Sequence, residues 1–313
     1  MTPDRTLVIG AGMAGLACAR ELHRAGHEVL VLDKGRGIGG RLATRRSADG
    51  FQFDHGAQYV TAQGARFRGL LALLREEGAA AFWDDGSGRD HLVGVPGMSA
   101  LGKVLGRGLA VHQKVRVTAI EALADGWRLV ADGVAYEGRR VVVTAPAPQA
   151  AALLGPDSAI TRALAPVRMA PCLTLMARFE SDQPPPFISR RDPEDPLSWI
   201  AYDSAKPQRP GPGCWVAQAG PDWSSQHLEE GMEETARALL ALLCDRLGTD
   251  PATAVHAAAH RWRYANVVAP LGQPFLRDET GSLYTGGDWC LGARVEAAWT
   301  SGTAIAQSIL AGS

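Results

Sequence analysis

Leu7-Val8-Ile9 runs directly into Gly10-Ala11-Gly12-Met13-Ala14-Gly15, a spacing that calls for a strand, a tight turn and a helix. Gly10 permits the turn, Gly12 lets backbone approach a pyrophosphate, and Gly15 lets the following helix pack on the sheet. Residues 14–24 read as that helix, Ala25-Gly26 ends it, and Glu28-Val29-Leu30-Val31-Leu32 reads as a second parallel strand delivering Asp33. An acid there can accept hydrogen bonds from both hydroxyls of an adenosine ribose, and it repels a 2′-phosphate. A second cluster, Gly35-Arg36-Gly37-Ile38-Gly39-Gly40-Arg41, follows at once. A glycine-rich surface turn would explain the first motif but neither the acid nor the second cluster. Together they imply a tightly held dinucleotide, FAD, with a helix N-terminus facing its phosphates.

The 313 residues can bury a full core and divide into two domains. A formal net charge of -1 leaves no global field to recruit nucleic acid or an anionic membrane. The five cysteines (Cys18, Cys172, Cys214, Cys244 and Cys290) show no CxxC or zinc-ligand spacing, so no metal is expected and a reducing cytoplasm is. A strand so close to Met1 leaves no room for a signal peptide, and apolar runs such as residues 236–243 are too short to cross a bilayer. Nothing in the pattern fixes an oligomeric state.

The expected fold class is α/β: a Rossmann-like FAD-binding domain with a second, mostly antiparallel-sheet substrate domain. Residues 1–65, 98–160 and 270–313 are assigned to the first, and residues 66–97 and 161–269 to the second. Residues 66–83 read as one amphipathic helix burying Phe67, Leu70, Leu71, Leu74 and Phe82, and Ser99 as the cap of the next. Strand-like pieces follow at 110–119, 127–132 and 139–144. Val141-Val142-Val143-Thr144-Ala145-Pro146 reads as a return to the central sheet. Proline-rich loops at 183–196 and 207–213 and a helix at 225–247 mark the substrate region. Near the end, a strand, the turn Gly286-Gly287-Asp288-Trp289 and a helix at 294–310 repeat the opening device, so a second helix N-terminus can point at the same cofactor.

These segments, together with Asp54-His55-Gly56-Ala57-Gln58-Tyr59, Pro96-Gly97-Met98 and His260-Arg261-Trp262-Arg263-Tyr264, resemble the renalase-like branch of the flavin amine-oxidase superfamily over residues 7–310. The resemblance implies that Gly10, Gly12, Ala14, Gly15 and Asp33 form the adenine-side motif, with Lys34, Arg36 and Gly40 in the adjoining loop. It further implies that Arg41 touches the pyrophosphate, that Val115 meets adenine through its backbone, and that Asp288 lies by the ribityl chain. Arg294 and Val295 would lie at the flavin O2 edge, and Gln58 and Tyr59 near the isoalloxazine. The implied chemistry is oxidation of 2- or 6-dihydro-NAD(P) by hydride transfer to flavin N5, with O2 regenerating the flavin and releasing hydrogen peroxide. Loss of hydride to form an aromatic pyridinium needs no strong base, so the protein stacks and orients.

His260, Trp289 and Tyr59 are the candidate catalytic residues. His260 is expected to line the flavin cavity and orient a nicotinamide carboxamide, or else to be a buried structural histidine. Alternation puts His260, Trp262 and Tyr264 on one face and Arg261 and Arg263 on the other, and either face could be functional. Trp289 flanks the flavin or fills core. Gln58, Trp199, Tyr202, Lys206, Trp262 and Tyr264 are the substrate-binding candidates, with Lys206 or Arg209 for a phosphate unless the two sit on a solvated basic loop. Typical superfamily members keep a lysine near flavin N5, yet none of Lys34, Lys103, Lys114 and Lys206 sits at an evident strand end. No cysteine lies between the final glycines and Trp289, so FAD is expected to be non-covalent. The competing readings are a flavin amine oxidase, a desaturase on the same scaffold, and a non-catalytic flavin-binding protein.

Overall fold

The computed structural model describes residues 1–180 and 184–312. Its central sheet has the order Leu276–Arg277, Leu283–Thr285, Arg140–Val143, Arg5–Ile9, Glu28–Asp33, Ala110–Gln113, all parallel except the first, which is an antiparallel edge. The expected return of residues 141–143 to this sheet is observed. The inner strands are apolar almost throughout because both faces are covered. Val8, Val29, Val31 and Val142 face the first helix, Met13–Arg24, and the last, Val295–Ala311. Leu7, Ile9, Leu30, Leu32, Val141 and Val143 face the helices Ala147–Leu154 and Ala159–Ala163 and a three-stranded antiparallel sheet.

The second body is a five-stranded antiparallel sheet, in order Ser189–Arg191, Trp199–Tyr202, Cys214–Gln218, Arg168–Phe179, Ala254–Ala269. One face packs Leu173, Leu175, Ile200, Trp215 and Ala217 against Leu239 and Leu243 of the helix Met232–Leu247. The other face meets Phe53 and the segment that follows it. This is the expected α/β architecture.

Local details differ from the sequence reading. The helix expected over 66–83 ends at Glu76 and the chain turns at Gly78 (φ +69°) into the strand Ala80–Trp83, which leaves Phe82 50% exposed. Lys114 in the left-handed region splits 110–119 into two strands, and 225–247 is two helices, Pro221–Gln226 and Met232–Leu247. Ser99 does not cap its helix through its hydroxyl. Asp54 Oδ1 accepts from Met98 N (2.9 Å) and Thr44 Oγ1 from Ser99 N (3.1 Å). Residue 183 of the proline-rich loop lies outside the described residues.

Candidate active site

The two glycine loops touch. Gly12 and Gly39 form a bridge, and Gly39 N donates to Ala11 O at 2.8 Å. Gly10 takes φ +107° to leave the strand, and a Cβ on Gly15 would lie 1.9 Å from Gly10 O, so helix and strand approach as the motif requires. A Cβ on Gly12 would meet nothing within 4 Å. The first helix begins there with no side-chain cap, and so does the last helix at Arg294. Two open helix starts and an unfilled glycine face fit a dinucleotide diphosphate.

Each Asp33 oxygen accepts one backbone N–H at 2.6 Å, from Ala11 and Gly35, which ties the two loops together and leaves lone pairs for a ribose. Val115 N donates to Asp33 O (2.9 Å), which sets the residue beside the end of the second strand. Lys34 reaches Gln149 Oε1 at 3.1 Å, its pKa lowered by burial and by Arg116. Arg36 and Gly40 are exposed at the rim and Ala14 is buried in the first turn. Arg41 forms a two-pronged pair with Asp288 and donates to Ala265 O at 2.7 Å. Arg294 donates to Thr61 Oγ1 at 3.1 Å, and Val295 opens the last helix behind it.

On the open face of the antiparallel sheet, His260 and Trp262 meet His55. His55 lies 4.8 Å from His260 edge to face and 5.4 Å from Trp262 in a stack, and Trp262 Nε1 donates to His55 O. Burial, His260 and Arg45 push His55 down to about 4. Burial and Arg45 also lower His260 and His256. The site thus presents imidazoles that are neutral at pH 7. Arg261 and Arg263 point the other way, to Glu230 O and Glu229, which rules them out as phosphate ligands on this face. Residues 263–265 fall at a register shift, so the alternation linking Tyr264 to Trp262 stops there.

Tyr59 stacks on His91 with centroids 3.7 Å apart, and Trp199 lies 5.5 Å away. His91 Nδ1 sits 3.0 Å from Asp85 Oδ2. Burial opposes ionisation of Asp85, but hydrogen bonds from Ser87 and Ser189, with His91 alongside, hold its pKa below the usual range.

Several candidates are placed elsewhere. Trp289 is fully buried, its indole donating to Ala145 O at 3.0 Å, so it is core and has no surface left for a flavin. Tyr202 packs on Trp215 and accepts from Gly213 N on the helix-covered face of the sheet. Its offset of three from Trp199 puts it on the opposite side of the strand. Lys206, expected at a substrate phosphate, is sealed inside an ion network, 2.6 Å from Asp203 and 3.5 Å from Asp54, with Arg209 also on Asp54. Lys206 and Arg209 hold Asp54 below the usual carboxylate range against its burial, whereas burial raises Asp203. Gln58 turns inward too, accepting from Lys206 at 3.2 Å and donating to Gly56 O at 3.1 Å. It shapes the loop that carries His55 and Tyr59. His55, Asp85 and His91 were absent from the sequence-based site. Only His55, inside the quoted 54–59 segment, carried any signal.

No group of metal-ligating side chains occurs among the described residues, and no helix there is long and apolar enough to cross a membrane.

A family model described as an NAD(P)-binding Rossmann-like domain matches residues 8–75. The L-amino-acid oxidase of Crotalus adamanteus is 49% identical over 47 residues, 15% of this chain and 9% of that oxidase. Matched segments span 9% to 15% of the lengths of such curated relatives. Among solved structures, a putrescine oxidase bound to putrescine has a TM-score of 0.74 at 15% identity, covering 98% of this chain and 99% of that one. Cyclohexylamine oxidase from Brevibacterium oxydans IH-35A gives 0.74 at 15%, with 99% of each chain covered. At that identity the two structures speak for the fold alone. A second family model, flavin containing amine oxidoreductase, matches residues 77–310. By that match, and by a cradle that fits the dinucleotide, the chain belongs to the flavin-containing amine oxidoreductase family, with FAD as its cofactor.

Proposed function

We propose that the protein is a renalase-like oxidase of misreduced nicotinamide dinucleotides, taking 2- or 6-dihydro-NAD(P) to NAD(P)+. The carrying observation is the His55–His260–Trp262 cluster, in which Trp262 stacks on His55 and His260 meets both edge to face, its imidazoles held neutral by burial and by Arg45. A neutral aromatic face beside a guanidinium suits an uncharged dihydropyridine on an anionic dinucleotide. It offers no carboxylate to an ammonium ion. Bound FAD would supply the redox chemistry: a two-electron acceptor for the substrate hydride, whose electrons, with one proton from solvent, would reduce O2 to hydrogen peroxide. The chain's own residues stack and orient the ring, and the Arg41–Asp288 pair and the two open helix starts hold the cofactor. Retention is non-covalent: Cys290, the cysteine beside the final motif, is fully buried and its thiol is pushed up to about 12, by burial first.

Amine oxidation is the second reading. Asp85, held ionised and paired with His91, whose ring stacks on Tyr59 with Trp199 beyond it, brings negative charge close to aromatic faces that would suit an ammonium group. Anaerobic mixing of the FAD-loaded protein with 2-, 6- and 4-dihydro-NAD and with primary amines tests both. Bleaching of the oxidised flavin by a 2- or 6-isomer alone is the expected result. Bleaching by amines, or by nothing in the panel, rejects the proposal.

A further inference from the structure

Toward the end of the first helix, away from the glycine cradle at its start, a cavity of about 200 Å³ opens between helices. Ala17, Arg20, Glu21 and Arg24 of the helix Met13–Arg24 form one wall. Arg66, Gly69, Leu70 and Leu73 of the helix Ala65–Glu76 form another. Both sets follow the spacing i, i+3, i+4, i+7, so each wall is one continuous stripe of its helix. Trp299 of the last helix and Leu105 of Ser99–Leu105 complete the lining.

Gly69 shows that the space is kept open. It stands inside a helix, where glycine is less stable than alanine. Its φ is not positive, and a Cβ there would meet nothing within 4 Å. Neither backbone geometry nor close packing requires a glycine at this position. A larger side chain there would stand in the cavity.

Charge and size decide what fits. The lining carries three guanidiniums against one carboxylate. Arg20 is anchored, donating to Val104 O at 3.0 Å and Leu105 O at 3.3 Å. Burial first, then Arg24 and Arg107, lower its pKa, as crowded like charges do. Arg24 reaches Glu21 at 3.5 Å in a solvated pair, which is weak. Arg66 makes no ion pair among the described residues. It lies over the Trp299 ring, 5.6 Å from the centroid, with the Gln307 amide oxygen turned to accept from it at 2.9 Å. Between these cations Leu70, Leu73, Leu105 and Trp299 are apolar, a surface that an inorganic anion would leave unused. Pockets for drug-sized ligands run to about 300–1,000 Å³, so this smaller cavity admits one ring and not a dinucleotide.

We propose that this cavity binds a small organic monoanion, a single-ring carboxylate, with its charge on Arg24 and Arg66 and its apolar body against Leu70, Leu73 and Trp299. The site is separate from the cofactor cradle and from the His260 cluster, and it does not depend on the proposed reaction.

The test is calorimetric titration of the FAD-loaded protein with benzoate, its neutral counterpart benzamide and inorganic phosphate, repeated with Arg66→Gln and Gly69→Leu. Benzoate is expected to bind about tenfold or more tightly than the other two, because benzamide lacks the charge and phosphate the apolar body. Arg66→Gln is expected to weaken benzoate about tenfold, the value of one charge-assisted hydrogen bond. Gly69→Leu is expected to abolish benzoate binding while raising the thermal midpoint through helix propensity. Absence of benzoate binding to the unaltered protein overturns the proposal, as does benzamide or phosphate binding as tightly as benzoate. So does unchanged benzoate binding in Gly69→Leu, which would place the ligand elsewhere on the protein. Should Gly69→Leu fail to fold, Arg66→Gln and the ranking of the three ligands still decide.

Discussion

Arg41 and Asp288, 247 positions apart, meet in a two-pronged ion pair, Nη1 to Oδ2 at 2.7 Å and Nη2 to Oδ1 at 2.6 Å. The pair joins the end of the second glycine loop to the turn before the last helix, so the two sides of the cofactor cradle are fixed relative to each other. Asp288→Asn keeps the shape but removes the charge. With Arg41 partly solvated, a stability loss of about 1–2 kcal/mol is expected, below that of a fully buried pair. FAD retention on dilution and gel filtration should fall with it, and retention equal to the unaltered protein would show that the pair does not organise the cradle.

Gly12 and Gly15 separate cofactor approach from folding. Gly15→Ala puts a methyl 1.9 Å from Gly10 O, forcing the first helix off the sheet at a cost of about 3 kcal/mol or more. Gly12→Ala meets nothing within 4 Å and should leave the apoprotein within about 0.5 kcal/mol of its original stability. Its methyl projects into the cradle, so flavin absorbance after reconstitution should be lost. A Gly12→Ala protein that takes up FAD normally would place the diphosphate elsewhere.

Lys206→Met leaves Asp54 and Asp203 with one cation between them inside the protein. Breaking a buried network in this way costs about 3–5 kcal/mol. Lys206→Met with Asp203→Asn removes one charge of each sign and should recover part of the loss in urea denaturation. Equal stability of the single and double variants would mean that the network contributes through packing.

Stability should decline with acid through the histidine cluster. His55 has its folded pKa lowered to about 4 from an ordinary imidazole value of 6.5, so between these values the unfolded chain binds the extra proton. Its contribution is complete above about pH 6.5 and is lost as pH falls toward 4, by about 3 kcal/mol at most. His260 and His256, shifted the same way, steepen the slope. His55→Phe should flatten it in denaturation midpoints measured from pH 8 to pH 5, and an unchanged slope would assign the acid sensitivity to other groups.

The nucleotide half was legible because its glycines are required by backbone geometry that leaves a fixed spacing: Gly10 by its positive φ, Gly15 by its contact with Gly10 O. Side-chain direction on the antiparallel sheet was legible where alternation ran unbroken, as for His260 and Trp262, and failed where it did not. Tyr264 lies past a register shift, and Trp199 and Tyr202 differ by three positions, an odd number that alternation itself would have put on opposite faces. Phe82 fitted a helical stripe, but Gly78 ends the helix before it. Lys206 and Ser99 could not be read at all. Lys206 pairs locally with Asp203, but what seals it in, Asp54 and Gln58, lies some 150 residues away, and the Ser99 helix start is held by Asp54 and Thr44, contacts that leave no trace in local sequence.

The last helix lies so close to the first that a Cβ on Gly302 would stand 2.0 Å from Ala14 O, and strand Leu283–Thr285 completes the sheet beside Arg140–Val143. During synthesis, the loop that greets the diphosphate is therefore made first and its supporting wall last, with the whole antiparallel body emerging between them. A chain cut short before residue 283 would lack that wall, leaving the glycine loop uncovered and the Arg140–Val143 strand without its neighbour on that side.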